Sequence, residues 1–119
     1  MNTQTVGQQG EELVAQSLQK NGYEIVAHNY RQRCGEIDLI VRKKDRLAFV
    51  EVKMRRSRYF DLMTVITPSK QRKIIATAKH FLTRYPSDSF YCQFDVALVE
   101  PHNGEYIITY VPNAFTEVG

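Results

Sequence analysis

Asp38, Glu51 and Lys53 are the residues whose types and spacing could carry chemistry in this 119-residue chain. Positions two apart in an extended strand share a face and lie roughly 6.5–7 Å apart, so Glu51 and Lys53 point the same way. Asp38 falls in an adjoining run that can form a hairpin with theirs, and it approaches Glu51 if the register allows. Two carboxylates brought together at a half-buried sheet end repel each other and lose hydration. A divalent cation relieves both costs, and Mg²⁺ is commonly held by one or two carboxylates together with substrate phosphate oxygens. A lysine beside such an ion can orient or help deprotonate an attacking water and stabilise charge building on a phosphate. Taken alone, Glu51-Val52-Lys53 reads more plainly as a charge pair at a strand end. The company it keeps favours the site: GEIDLI, a polar turn, then FVEVK, all inside a basic segment.

Those residues need elements to position them. Glu11, Val14, Ala15 and Leu18 fall at i, i+3, i+4 and i+7, which predicts a helix over about Thr5–Asn21 with one face on a core. Gly22 is its expected C-cap. Tyr23–Tyr30 reads as a strand of imperfect alternation, followed by a basic connection, Arg31–Cys34. Glu36–Arg42 is the next strand, with Ile37, Leu39 and Val41 on one face and Asp38 and Ile40 on the other. After the turn Lys43-Lys44-Asp45 comes Arg46–Lys53, apolar on both faces and therefore expected to be central. Its odd face carries Leu47, Phe49, Glu51 and Lys53; its even face carries Ala48, Val50 and Val52.

A basic, aromatic loop is expected over Met54–Ile66. Thr67-Pro68 then supplies an N-cap and a first-position proline. The helix it opens is expected to reach about Tyr85, burying Ile74, Ile75, Ala78, Phe81 and Leu82, with Pro86 as its stop. Two last strands, about Tyr91–Val99 and Glu105–Val111, join at a turn around Asn103-Gly104. The order is that of a small α/β domain with a mixed sheet, one domain over residues 1–119.

Composition bounds the function. The chain is 43% apolar and 24% charged, which excludes a disordered chain, and its two cysteines exclude a disulfide scaffold. Cys34 and Cys92, without CxxC or HxxxH spacing, are expected as reduced thiols of a cytoplasmic protein. The longest apolar runs, 47–50 and 96–99, fall far short of the roughly 18 residues of a membrane span, and no signal peptide is read. His28, His80 and His102 have no ligand spacing, so zinc is not expected. Net charge is +3, yet residues 31–84 hold 15 of the 16 Lys and Arg and five of the 13 acids, leaving +10 there and −7 elsewhere. That asymmetry fits a local anionic partner as well as it fits a solvated basic face.

The chain resembles a family. Gly7, Gly10-Glu11, Gly22-Tyr23, Asn29-Tyr30-Arg31, GEIDLI at 35–40, FVEVK at 49–53 with Arg55, then Lys70 and Phe94-Asp95-Val96 are similar to the YraN family. That family is regarded as predicted endonucleases of the PD-(D/E)XK superfamily, similar to Holliday-junction resolvases. The resemblance runs from about Gly7 to Phe115. It places Ile37-Asp38 at the Pro-Asp position and Glu51-Val52-Lys53 at (D/E)XK. It implies a restriction-endonuclease-like αβββαβ core with a mixed central sheet. Departures are Phe60-Asp61 for the usual Phe-Gly, and Gln93 for the usual arginine before Phe94-Asp95-Val96.

On this resemblance the expected protein is a metal-dependent endonuclease using Mg²⁺ or Mn²⁺ on nucleic acid, with DNA, and branched DNA in particular, as the expected substrate. Asp38, Glu51 and the Val52 carbonyl would hold the ion, Lys53 would handle the nucleophilic water, and Glu11 would complete the site from the helix. Arg31, Arg33, Arg55, Arg56 and Arg58 are expected at backbone phosphates, and Lys70 and Gln71 are candidates for contacting a phosphate or positioning water. Tyr59 and Phe60 suit stacking on unpaired bases; Asp95 reads as structural, paired with an arginine. The alternatives are a non-catalytic nucleic-acid-binding module and an accessory subunit in DNA repair or recombination. A homodimer through Glu105–Val111 and the 112–118 tail is the expectation if the substrate is a four-way junction, because symmetric cutting needs two sites.

Overall fold

A computed structural model describes residues 5–55, 62–85 and 90–117. Helix α1 (Val6–Lys20) leads into strands β1 (Glu24–Gln32), β2 (Gly35–Lys43) and β3 (Arg46–Met54). A short helix α2 (Leu62–Val65) and the long α3 (Pro68–Leu82) follow, then strands β4 (Tyr91–His102) and β5 (Glu105–Phe115). The five strands form one sheet in sequence order. Only β3 and β4 run parallel, with α3 as their crossover; the other neighbours are antiparallel. The mixed α/β architecture expected from the sequence is the one observed.

Alternation along β3 sets the two layers. Leu47 and Phe49 pack with Ile74, Ala78 and Phe81 of α3. Ala48 and Val50 pack on the other face with Val14, Ala15 and Leu18 of α1. Both faces of β3 are covered, as its sequence requires. In β2 the expected alternation fails: Ile37 and Ile40 both lie on the α3 side, whereas Leu39 and Val41 lie under α1. The face switches at Asp38, where the β2–β3 ladder ends at the pair Leu39↔Val50. In β1 the imperfect alternation has a similar cause, a register shift between Ile25 and Ala27.

Local signals decide the element ends. Thr5 and Gln8 form a capping box at the start of α1, and Thr67 Oγ1 accepts from Lys70 N–H at 3.2 Å at the start of α3. At the far end of α1 the cap is Asn21; Gly22 stands one residue beyond, at φ +89°. Gly22 N–H donates to Gln19 O and Tyr23 N–H to Leu18 O, each at 3.0 Å, the two bonds of a Schellman motif. Gly22→Ala is therefore expected to destabilise the protein by about 1–2 kcal/mol, the cost of a left-handed alanine. A Cβ there would also sit 3.3 Å from Lys43 Cε. Urea unfolding at constant m-value measures it.

Several expected boundaries move. Arg31 and Gln32 belong to β1, leaving a two-residue turn. Leu62–Val65, expected as loop, is helical, and Ile66 is buried. Helix α3 ends at Leu82, ahead of Pro86, which lies outside the described residues, and β5 runs on to Phe115. Ile108 and Tyr110 of that edge strand pack toward the α1 layer, while Tyr106 and Ile107 are exposed. Among the described residues no helix is long and apolar enough to cross a membrane.

Candidate active site

The opened end of the β2–β3 ladder is where the acidic residues meet. Asp38 Oδ2 accepts a hydrogen bond from Val52 N–H at 2.8 Å, so the side chain takes the place of a ladder partner. Glu51, on the α3 side of β3, lies close enough to Asp38 for the two carboxylates to repel each other. Its Oε1 lies 3.0 Å from Lys70 Nζ in the first turn of α3, and its side chain is 12% exposed. A groove of about 490 Å³ is lined by Gly35, Glu36, Asp38, Glu51, Thr67, Ser69, Lys70, Lys73 and Ile74.

Two glycines permit this convergence. A Cβ on Gly35 would lie 3.1 Å from Lys73 O and 3.0 Å from Thr77 Oγ1. Its absence lets the start of β2 sit against α3, where Cys34 Sγ and Thr77 Oγ1 approach to 3.4 Å. On the opposite face Gly10 is buried; a Cβ there would lie 2.5 Å from Met54 Sδ and 3.6 Å from Val52 Cγ1. Close approach of α1 at that point brings Glu11 within electrostatic reach of Asp38. Glu11 is half-buried on α1 and does not line the groove, and Glu12 is exposed.

Both central carboxyls hold protons unusually well. Burial lifts Asp38 from 3.8 to about 6, with Glu11 and Glu36 adding to the rise and the Val52 N–H and Lys70 opposing it. Burial likewise lifts Glu51 from 4.5 to about 7, with the Asp38 charge adding and Lys70 opposing. The two titrate as a pair. This is a site short of positive charge. Among the described residues no three His, Cys, Asp or Glu side chains converge on one point. The donor set nevertheless fits Mg²⁺, which takes one or two carboxylates and keeps its other positions for water and phosphate oxygens.

Lys53 shares the sheet face of Glu51, being aligned with Leu98 of β4 as Glu51 is with Val96. It is exposed and pairs with no described residue. Lys70 is the lysine in contact with the acids. Gln71 turns back to donate from Nε2 to Ile66 O at 3.1 Å, outside the groove. Arg31 pairs with Glu36 at 3.3 Å, both well exposed. Arg33 is exposed in the β1–β2 turn. Arg55 lies 3.2 Å from Glu100 with both side chains 12% exposed, and its N–H donates to Val99 O. Its expected phosphate contact therefore competes with an ion pair. Arg56, Arg58, Tyr59, Phe60 and Asp61 lie outside the described residues.

Asp95 is structural but not through an arginine. Fully buried, it accepts from Tyr110 Oη, from Gln93 Nε2 at 2.9 Å and from Asn113 N–H at 2.9 Å, which pins the irregular stretch of β5. Gln93 serves Asp95 where the YraN pattern has a cation. Thr67, Ser69 and Lys73 line the groove although their sequence positions did not mark them as site residues. The signal available was the capped helix start with lysines at i and i+3, which puts Lys70 and Lys73 on one face.

The family model described as Uncharacterised protein family UPF0102 matches residues 10–99, a span that contains Glu11, Asp38, Glu51, Lys53 and Lys70. The chain belongs to that family. A UPF0102 protein of Acinetobacter baumannii (strain AYE) is 50% identical over 95 residues, covering 78% of this chain and 71% of its own. A UPF0102 protein of Nitrosomonas europaea is 42% identical over 112 residues, 93% of each chain. One from Nitrosococcus oceani is 39% identical over 111 residues, 92% of this chain and 90% of its own. These UPF0102 likenesses establish kinship, and the YraN resemblance holds at that level.

Proposed function

We propose that this UPF0102 protein is a metal-dependent endonuclease that hydrolyses phosphodiester bonds of nucleic acid, DNA and branched DNA foremost. The observation that carries the reading is the Asp38–Glu51 pair, half-buried together where the β2–β3 ladder opens. No structural need calls for two like charges there, and a divalent cation removes the penalty. The resemblance to PD-(D/E)XK nucleases and the cationic first turn of α3 over the same groove support it.

Asp38, Glu51 and the Val52 carbonyl would hold Mg²⁺ or Mn²⁺, which supplies charge neutralisation at phosphate and a more acidic water. The chain's own residues do the rest. Lys70 and Lys73, with the N-terminal turn of α3, attract and seat a phosphate at the groove. Lys53 stands on the Glu51 face to orient the attacking water. Glu11 adds negative potential from α1, tightening the demand for a cation.

The test is incubation of the purified protein with branched, nicked, single-stranded and duplex DNAs and RNAs, in Mg²⁺, Mn²⁺ or chelator. Cleavage of at least one substrate that chelator stops is the expected result. Binding without cleavage in either metal would select the second reading, a non-catalytic nucleic-acid module, which the Lys70–Glu51 ion pair favours because a lysine already neutralises one acid.

A further inference from the structure

The end of the sheet opposite the catalytic groove carries a second set of groups suited to nucleic acid. Strand β2 ends at Lys43 and β3 begins at Arg46, so the turn between them lies five strand residues, about 17 Å, from Asp38 and Glu51. Two depressions meet there. One of about 230 Å³ is lined by Tyr23, Lys43, Lys44, Asp45 and Arg46. The other, about 360 Å³, includes Tyr23, Arg46, Ser17, Asn21, Gln93 and Tyr110 over a floor of Val14, Leu18 and Ile108. Tyr23 and Arg46 line both, so the two depressions adjoin.

Its chemistry is mixed in a particular way. Lys44 and Arg46 are exposed, and neither forms an ion pair with a described acid. Lys43 is committed: its Nζ donates to Asn21 O at 2.7 Å and lies 5.3 Å from the Tyr23 ring centre, which covers the carbonyl end of α1. That end would otherwise repel an anion. Tyr91 is 73% exposed, the most exposed large apolar side chain described. It stands beside Arg46 as its register partner, with its N–H donating to Asp45 O at 2.7 Å. Among the described residues no packing partner explains a tyrosine left in water beside Arg46. Asp45 and Glu24 are the nearby acids, against Arg42, Lys43, Lys44 and Arg46.

We infer that this groove binds a single-stranded nucleic-acid segment, with Lys44 and Arg46 on successive phosphates, a base stacked on Tyr91, and Gln93 and the apolar floor receiving a second base. This rests on the nuclease reading and extends it: the second groove lies about 17 Å from Glu51 along β3 and on the α1 face of the sheet, so a strand reaches it from the catalytic groove only by rounding the sheet, which favours substrates with a flexible unpaired arm. Cations interleaved with an accessible aromatic ring are the usual basis of sequence-tolerant single-strand binding. A duplex offers phosphates but no free base face, so Tyr91 distinguishes the two.

The test uses the full chain in chelator, so that binding is read without cleavage. The probes are fluorescent oligothymidylate of about 20 nucleotides, a blunt duplex of the same length and a heparin fragment. The double substitution Lys44→Gln, Arg46→Gln is expected to weaken oligothymidylate binding about tenfold or more. It should flatten the log–log salt dependence by about 1.4, two phosphate contacts at roughly 0.7 each. Tyr91→Ala is expected to weaken oligothymidylate about fivefold or more and to leave heparin unchanged. All three side chains are exposed, so unchanged thermal unfolding midpoints confirm folding. Parent-like oligothymidylate binding by the double variant overturns the inference while leaving the nuclease reading intact. Equal loss on heparin and oligothymidylate, with no effect of Tyr91→Ala, also overturns it, because it marks a general polyanion surface. A parent protein that binds neither nucleic-acid probe overturns the inference, while the nuclease reading is decided separately by cleavage of the branched and nicked substrates.

Discussion

Lys53→Ala is expected to lower turnover on a cleavable substrate by about 10²–10³ while changing nucleic-acid affinity little. One preorganised donor acting where charge develops in the transition state is worth roughly that factor. Affinity, by contrast, is shared among the 15 basic residues of the 31–84 segment, so one of them contributes a small part of it. The structure sharpens the expectation. Lys53 is exposed on the Glu51 face and pairs with no described residue, so its removal leaves the fold untouched. Lys70 already bonds Glu51, and its removal should act differently. Lys70 holds the Glu51 proton affinity down, so Lys70→Ala is expected to move the rise of activity to higher pH. Single-turnover rates at saturating enzyme, with binding measured separately in chelator, resolve the two lysines. Parent-like cutting by Lys53→Ala would make Lys53 a surface charge and sink the proposed mechanism.

The sequence showed the carriers of the site better than its surroundings. Glu51 and Lys53 could be placed on one face because β3 alternates cleanly between two apolar layers. Asp38 could be named, but its geometry could not be read. The strand switches faces at that residue, and the carboxylate replaces a backbone partner, which no period-two pattern reports. Gln71 and Arg55 stood out for their charge or polarity and position, yet each is engaged by a local partner, Ile66 O and Glu100, that only folding reveals. Glu100 lies 45 residues from Arg55 in sequence and is a strand neighbour of the same sheet. Thr67 was legible as a cap, and what made it part of the groove is the close approach that Gly35 permits. A glycine in a sequence says that a Cβ is absent, not what stands where it would be. The edge strand β5 was legible as a strand and not as a full-length one, because the Asp95 network that carries it past Val111 is built from polar residues.

Glu51→Gln is expected to make the metal-free protein more stable at pH 8 by about 1–3 kcal/mol while removing its response to Mg²⁺. The sign follows from the two carboxyls. Each has a folded proton affinity above its ordinary value, Glu51 at about 7 against 4.5 and Asp38 at about 6 against 3.8. Between roughly pH 4 and 7 the native state therefore binds more protons than the unfolded chain, and stability falls as pH rises through that window. The site's full contribution to stability is present near pH 4 and lost by about pH 7–8, the reverse of an ordinary salt-bridged acid. A tenfold change in proton affinity is worth about 1.4 kcal/mol, so the rise at Glu51 alone sets the upper part of the range. The half-exposed Lys70 partner is already contained in that rise, which it opposes. Glutamine resembles the protonated acid, so parent and variant should converge near pH 4 and diverge as pH rises. Added Mg²⁺ should then raise the parent's stability at pH 8 by the logarithm of its saturation, leave the variant unmoved, and so narrow or reverse the difference. Asp38→Asn should repeat the pattern with a smaller gain, because its carboxylate also receives the Val52 N–H. Urea unfolding at pH 4.5 and pH 8, with chelator and with millimolar Mg²⁺, measures all four corners. A parent whose stability climbs between pH 5 and 8 in chelator, or a Gln variant less stable than the parent at pH 8, would show that the pair is an ordinary ionised cluster already compensated by Lys70, with no charge deficit for a metal to relieve.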